Sequence, residues 1–248
     1  MTQSLDTPGL PRLAYYYTPG RGPAVVFLCG YASDMNGTKA LALEQWARAR
    51  GQAFLRFDYA GCGESAGAFE EQNLASWRDD ALRVIDAVVD GPVVLVGSSM
   101  GGWVMLLVAG ARPARVKGLV GIAAAPDFTG WGYSDADKAV IRAEGRIEQP
   151  NDYGDQPTVT TRGFWESGEA NRVMDAAIDF DGPVRLLQGQ RDAEVPWERA
   201  PMLAGLLRSD AVQTWLVKDG DHRLSRDADI ALILRAVEDV LILCSSSC

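Results

Sequence analysis

Histidine is almost missing from this chain: His222 is the single imidazole in 248 residues. A site built from several histidine ligands is therefore excluded, and any chemistry that needs an imidazole must use this one. Cysteine is also sparse. Cys29, Cys62, Cys244 and Cys248 show no CxxC spacing and no histidine beside them, so neither a zinc site nor a disulfide framework is expected. Free thiols are the expectation, with a Cys244–Cys248 bridge as the one local alternative. No apolar run reaches the roughly 18 residues of a membrane span, so stable membrane insertion is not expected. No Lys/Arg cluster appears, and 24 basic against 33 acidic residues leave a net charge of −9, which argues against nucleic acid as partner. The first residues carry neither the charged and apolar regions of a secretory signal nor an Arg-rich amphipathic pattern. A cytoplasmic protein is the resulting expectation.

What is present is a globular composition, 47% hydrophobic and 23% charged, at a length that suits one domain with a sizeable core. Short apolar runs recur with helical stretches between them. Strands are predicted at Leu13–Tyr17, Ala24–Cys29, Ala53–Asp58, Val93–Val96, Val116–Ile122, Val184–Gln188 and Val212–Val217. Continuous apolar runs of this kind suit a parallel sheet buried on both faces. Helices are predicted over Lys39–Arg50 and Asn73–Val89, from about Gly102 to Ala111, and along the stripe Ile230, Ile233, Leu234, Val237 and Leu241. The fold class is α/β, with a mostly parallel central sheet flanked by helices. Residues 127–180 break the alternation. They show no convincing strand, and Trp131, Tyr133, Tyr153, Phe164 and Trp165 lie among Gly, Asp and Pro. The expectation is a core of residues 1–126 and 181–248 with a small helical lid inserted at 127–180.

Gly97-Ser98-Ser99-Met100-Gly101 fits G-x-S-x-G, with an apolar strand leading in and a helix leading out. That setting lifts the central serine hydroxyl above the sheet, which makes Ser99 the candidate nucleophile. The following helix directs its positive end at the site. The backbone N–H of Met100 is the candidate for half of an oxyanion hole, and the N–H of Tyr31, on the loop after the early strand, for the other half. His222, on a loop between the strand Val212–Val217 and the last helix, is the candidate base. Asp192, just past the strand Val184–Gln188, is the candidate acid that fixes the histidine tautomer, with Glu194 as the alternative. Asp219 and Asp221 neighbour the histidine in sequence, but adjacency on a loop does not aim a carboxylate at Nδ1. Asp58 is read as a structural carboxylate, and Gly61–Gly67 as a turn rather than a dinucleotide site.

The elbow, together with Phe57-Asp-Tyr-Ala-Gly-Cys-Gly-Glu-Ser65, resembles the α/β-hydrolase superfamily. Gly30–Ala40, Phe54–Tyr59, Val96–Trp103, Pro183–Gly189, Val195-Pro-Trp197 and Gly220–Arg223 narrow the likeness to the mitochondrial palmitoyl-protein thioesterases and acyl-glucuronide esterases of that superfamily, as a bacterial relative. The resemblance implies the α/β-hydrolase fold and a Ser, Asp, His triad on Ser99, Asp192 and His222. The resulting expectation is a cofactor-free and metal-free serine hydrolase. Its substrate would be a small acyl ester or thioester, or an S-acylated protein. The same triad acting on an amide, lactone or carbon–carbon bond, and a non-catalytic binding protein of the same fold, are the alternatives. Oligomeric state is left open.

Overall fold

The computed structural model describes residues 2–150 and 157–245. Ten strands and eight helices are formed among them. Strands β1 (Gln3–Leu5), β2 (Leu13–Thr18), β3 (Arg21–Leu28), β4 (Gln52–Phe57), β5 (Val93–Ser98), β6 (Val116–Ile122), β9 (Val184–Gly189) and β10 (Val212–Val217) make one sheet, ordered β1-β2-β4-β3-β5-β6-β9-β10. β1 and β2 are antiparallel to their neighbours, and the rest run parallel. The mostly parallel sheet is as expected. The antiparallel edge strand β1 was not anticipated, because three residues with the exposed Gln3 and Ser4 carry no apolar run.

The sheet is central because its strands are apolar on both faces. β5 is buried throughout, as is β9. Helices α1 (Thr38–Arg50), α2 (Leu74–Val88), α3 (Met100–Ala111), α7 (Arg199–Leu206) and α8 (Asp227–Ser245) flank it. Local chemistry sets their ends. Asn73 and Ser76 form a reciprocal capping box that starts α2. Gly51, in the left-handed region, closes α1 by donating to the carbonyls of Ala47 and Arg48. The core runs along the sheet and takes in Trp77, Trp103 and Phe54 as some of its largest fully buried side chains.

After β6 the chain leaves the sheet. Between 127 and 180 the described residues form α4 (Phe128–Trp131), α5 (Asp135–Glu144), an antiparallel pair β7 (Arg146–Gln149) and β8 (Thr158–Thr161), and α6 (Arg162–Ala170). The strand pair departs from the sequence reading. Each strand is four residues long, and β7 alternates exposed Arg146 and Glu148 with half-buried Ile147 and Gln149, so a single apolar side chain is all that marks it in the sequence. A small core of Tyr133, Ile141 and Trp165 holds this insertion together, with Phe128 and Ile147 packed against it. Tyr153 lies outside the described residues, as does Cys248, and with it the Cys244–Cys248 bridge; Cys29 and Cys62 are buried free thiols. No helix of the described residues is long and apolar enough to cross a membrane.

Candidate active site

The turn from β5 into α3 places Ser99. Its backbone sits at φ 54°, ψ −122°, a region a side chain enters only under strain of about 1–3 kcal/mol. Three backbone hydrogen bonds hold it there. The Ser99 amide donates to the Ile122 carbonyl at 2.9 Å, and the Ser99 carbonyl accepts from Gly102 at 2.9 Å and Ala125 at 3.0 Å. The two glycines of the motif are required by close approach. A Cβ on Gly97 would lie 2.4 Å from the Gly101 carbonyl oxygen, and one on Gly101 would lie 2.1 Å from that of Leu28.

His222 reaches Ser99 from the loop between β10 and α8. Its Nε2 lies 3.1 Å from Ser99 Oγ, and its Nδ1 lies 2.8 Å from Asp192 Oδ2. The Asp192 side chain is fully buried. Its Oδ1 accepts from the amides of Glu194 at 2.9 Å and Val195 at 2.8 Å, and its Oδ2 also accepts from Gln188 Nε2 at 2.8 Å. Burial works to raise the Asp192 carboxyl. The His222 hydrogen bond and charge, with the two amides, outweigh it and hold the group below its ordinary value. The acid is thus ionised and aimed at Nδ1, which leaves Nε2 to accept from the serine hydroxyl.

The structure therefore brings Ser99, His222 and Asp192 into one chain of hydrogen bonds. Glu194, the alternative acid, sits elsewhere: its Oε2 is 3.5 Å from Nε2, on the Ser99 side of the ring. Asp219 pairs with Arg226, and Asp221 accepts from the Leu224 amide. The Met100 N–H opens α3 and so has no partner within the helix. The loop after β3 lies against the nucleophile, since a Cβ on Gly30 would meet Ser99 Cβ at 3.4 Å. This brings the next residue, Tyr31, to the site. Asp58, buried, steadies the same loop by accepting from the Met35 amide at 2.6 Å, and it also accepts from the Glu64 amide at 2.8 Å. Desolvation raises its carboxyl despite those bonds.

Two contributors escaped the sequence reading. Gln188, on β9, holds the second oxygen of Asp192 in place; a buried glutamine inside an apolar strand was the available signal. The Tyr31 ring is the other, since the motif points to the backbone N–H alone. It packs against Phe69, Trp77, Phe128 and Phe164, and its hydroxyl donates to the Val159 carbonyl of β8 at 2.6 Å. The loop beside Ser99 and the insertion are thereby tied together.

Residues 25–246 match the Alpha/beta hydrolase family. The chain belongs to the α/β-hydrolase family. The human palmitoyl-protein thioesterase ABHD10, mitochondrial, is 39% identical over 241 residues, covering 96% of this chain and 79% of that one. The structure of α/β-hydrolase domain-containing protein 10 from mouse superposes with a TM-score of 0.90 at 38% identity, over 96% of this chain and 97% of that one. A crystal structure from Agrobacterium vitis S4 gives 0.91 at 38% identity, over 97% and 98%. These likenesses correct one expectation. Relatives that match 96% of this chain are mitochondrial by name, so the expected cytoplasmic location does not stand.

Proposed function

We propose that this α/β-hydrolase cleaves carboxylic esters or thioesters through an acyl-enzyme on Ser99. The observation that carries the reading is the relay from buried Asp192 through His222 to a strained, elevated Ser99. His222 Nε2 takes the hydroxyl proton as Ser99 Oγ attacks the acyl carbon. The carbonyl oxygen becomes an oxyanion, met by the N–H groups of Met100 and Tyr31. The tetrahedral intermediate collapses, and the alcohol or thiol leaves with the proton from Nε2. Water then attacks the acyl-serine, again giving its proton to His222. The acid departs as Ser99 recovers its hydrogen. Asp192 keeps the ring in the correct tautomer and stabilises the imidazolium. Every atom and proton is accounted for without a cofactor or metal.

The substrate class follows from the relatives. The human protein named above is a thioesterase for palmitoylated proteins by name, and likeness along 96% of this chain supports a small acyl ester, an acyl thioester or an S-acylated protein as substrate here. Residues 127–180 serve as the lid over a core of residues 1–126 and 181–248. The Tyr31–Val159 bond and the aromatic cluster around Tyr31 support that role.

The test is hydrolysis of a matched series of acyl esters and thioesters, acetyl to palmitoyl, by wild type and Ser99→Ala. Turnover by wild type with Ser99→Ala inert upholds the reading, and the best chain length sizes the acyl site. A wild type inert across the series overturns it in favour of another bond or a binding role, while the fold stands.

A further inference from the structure

A cavity of about 490 Å³ lies away from the relay, between α7 and the ends of the insertion. That volume falls in the range that holds small organic ligands. None of Ser99, Asp192 and His222 lines it. Trp131, Met174, Met202 and Leu206 supply an apolar wall, with Met202 left half exposed at 52%.

The charges around it are unequal in their commitments. Asp127 is buried, and its two oxygens accept from the amides of Val173 and Met174. Arg172 is held by Asp175 through two hydrogen bonds of 2.8 and 2.7 Å, with Glu169 farther off at 3.8 Å. Arg199 is different. Its guanidinium stacks over the Trp131 ring at 4.6 Å and makes no ion pair or side-chain hydrogen bond among the described residues. Partial burial, together with Arg172 nearby, disfavours its charge, and Asp127 compensates only in part. A planar cation with its donors unspent, fixed on an aromatic face beside an apolar wall, suits an oxyanion head on an apolar tail.

We infer that this cavity binds a medium- or long-chain carboxylate, with the carboxylate on Arg199 and the chain along Trp131, Met174, Met202 and Leu206. The geometry is independent of the chemistry at Ser99, so the site stands or falls separately from the hydrolase reading.

Calorimetric titration of the full chain with decanoate tests it, with decanol and decyl phosphate as companions. Two variants decide. Arg199→Gln removes the cation, and Gly205→Leu fills the cavity from a helical position whose Cβ would meet nothing within 4 Å. Decanoate should weaken at least tenfold in Arg199→Gln, which is about 1.4 kcal/mol, while decanol is unmoved. Gly205→Leu should abolish binding of both. Hydrolysis of a short acetyl ester should be unchanged by either variant. Decyl phosphate binding more tightly than decanoate would overturn the carboxylate assignment. Decanoate affinity equal in wild type and both variants would overturn the site. Should Arg199→Gln fail to fold, Gly205→Leu alone decides, since it adds helix propensity.

Discussion

Replacing Asp192 by Asn separates the catalysis proposed for this site from folding, because the two costs differ widely in size. Oδ1 accepts two backbone amides, and the Asn carbonyl oxygen keeps both bonds when it takes that position. The amide NH2 then occupies the Oδ2 position, where it faces two groups that now donate: Gln188 Nε2 at 2.8 Å and His222 Nδ1 at 2.8 Å. Gln188 can rotate its amide, because its Oε1 has no hydrogen-bond partner among the described residues. His222 adapts only by moving its proton to Nε2. Ser99 Oγ then faces a donor and loses its base. The stability cost is that of one rearranged buried pair, about 1–3 kcal/mol. In a domain of this size that is a fall in Tm of roughly 2–12 °C. Under the proposed relay the activity cost is far larger, about 10⁴-fold in kcat, the loss expected when a Ser-His-Asp triad is left with the wrong histidine tautomer. Thermal melts and steady-state kinetics on one thioester read both. An Asp192→Asn protein that keeps more than a tenth of wild-type kcat refutes the tautomer argument, whatever its Tm.

Further outcomes follow from the same geometry. Gly101→Ala forces a Cβ onto the Leu28 carbonyl and should lower Tm by several degrees with loss of activity. Gly110→Ala, where the Cβ meets nothing, should raise Tm by roughly 2–4 °C through helix propensity of about 1 kcal/mol; a melt of the pair checks the contrast. Tyr31→Phe removes the bond to Val159 and keeps the ring, so kcat/KM should fall several-fold with a stability loss of about 1 kcal/mol; unchanged kinetics would separate the insertion from the site. Asp80, buried against the Ala60 amide and Arg83, is pushed up to about 6, mainly by desolvation. The folded state therefore holds a proton that the unfolded chain releases near pH 4, so the contribution of this carboxyl to stability is full below that point and is lost as pH rises through about 6. Asp80→Asn should flatten denaturant-derived stability between pH 4 and 6, and an unaltered slope would contradict the assignment.

The sequence was most legible where burial dominates. β3, β5, β6 and β9 are mostly apolar because both faces of the sheet are covered, and their ends were readable to within a few residues. The Ser99 elbow was readable because close approach of α3 to β5 at Gly97, and of α3 to the end of β3 at Gly101, admits only glycine at 97 and 101. Elements stabilised by neighbours rather than by their own pattern were not. α7 carries Pro201 and Gly205, β1 is three residues long, and the β7–β8 pair is polar on its outer face. Chain order and loop position singled out His222 and Asp192 as partners, but not the side chains that hold them. Gln188 reads as one polar residue in a strand, and Glu194 reads as a second acid until the fold turns it toward Nε2 instead of Nδ1.

The central claim is that Ser99 is the activated nucleophile, and covalent labelling tests it most directly. Wild-type protein is treated with a fluorophosphonate and digested, and the modified peptide is sequenced by mass spectrometry. A single adduct on Ser99, absent from Ser99→Ala and greatly slowed in His222→Ala, is the predicted result. An unlabelled wild type, or an adduct on Ser98 or any other residue, would contradict the account.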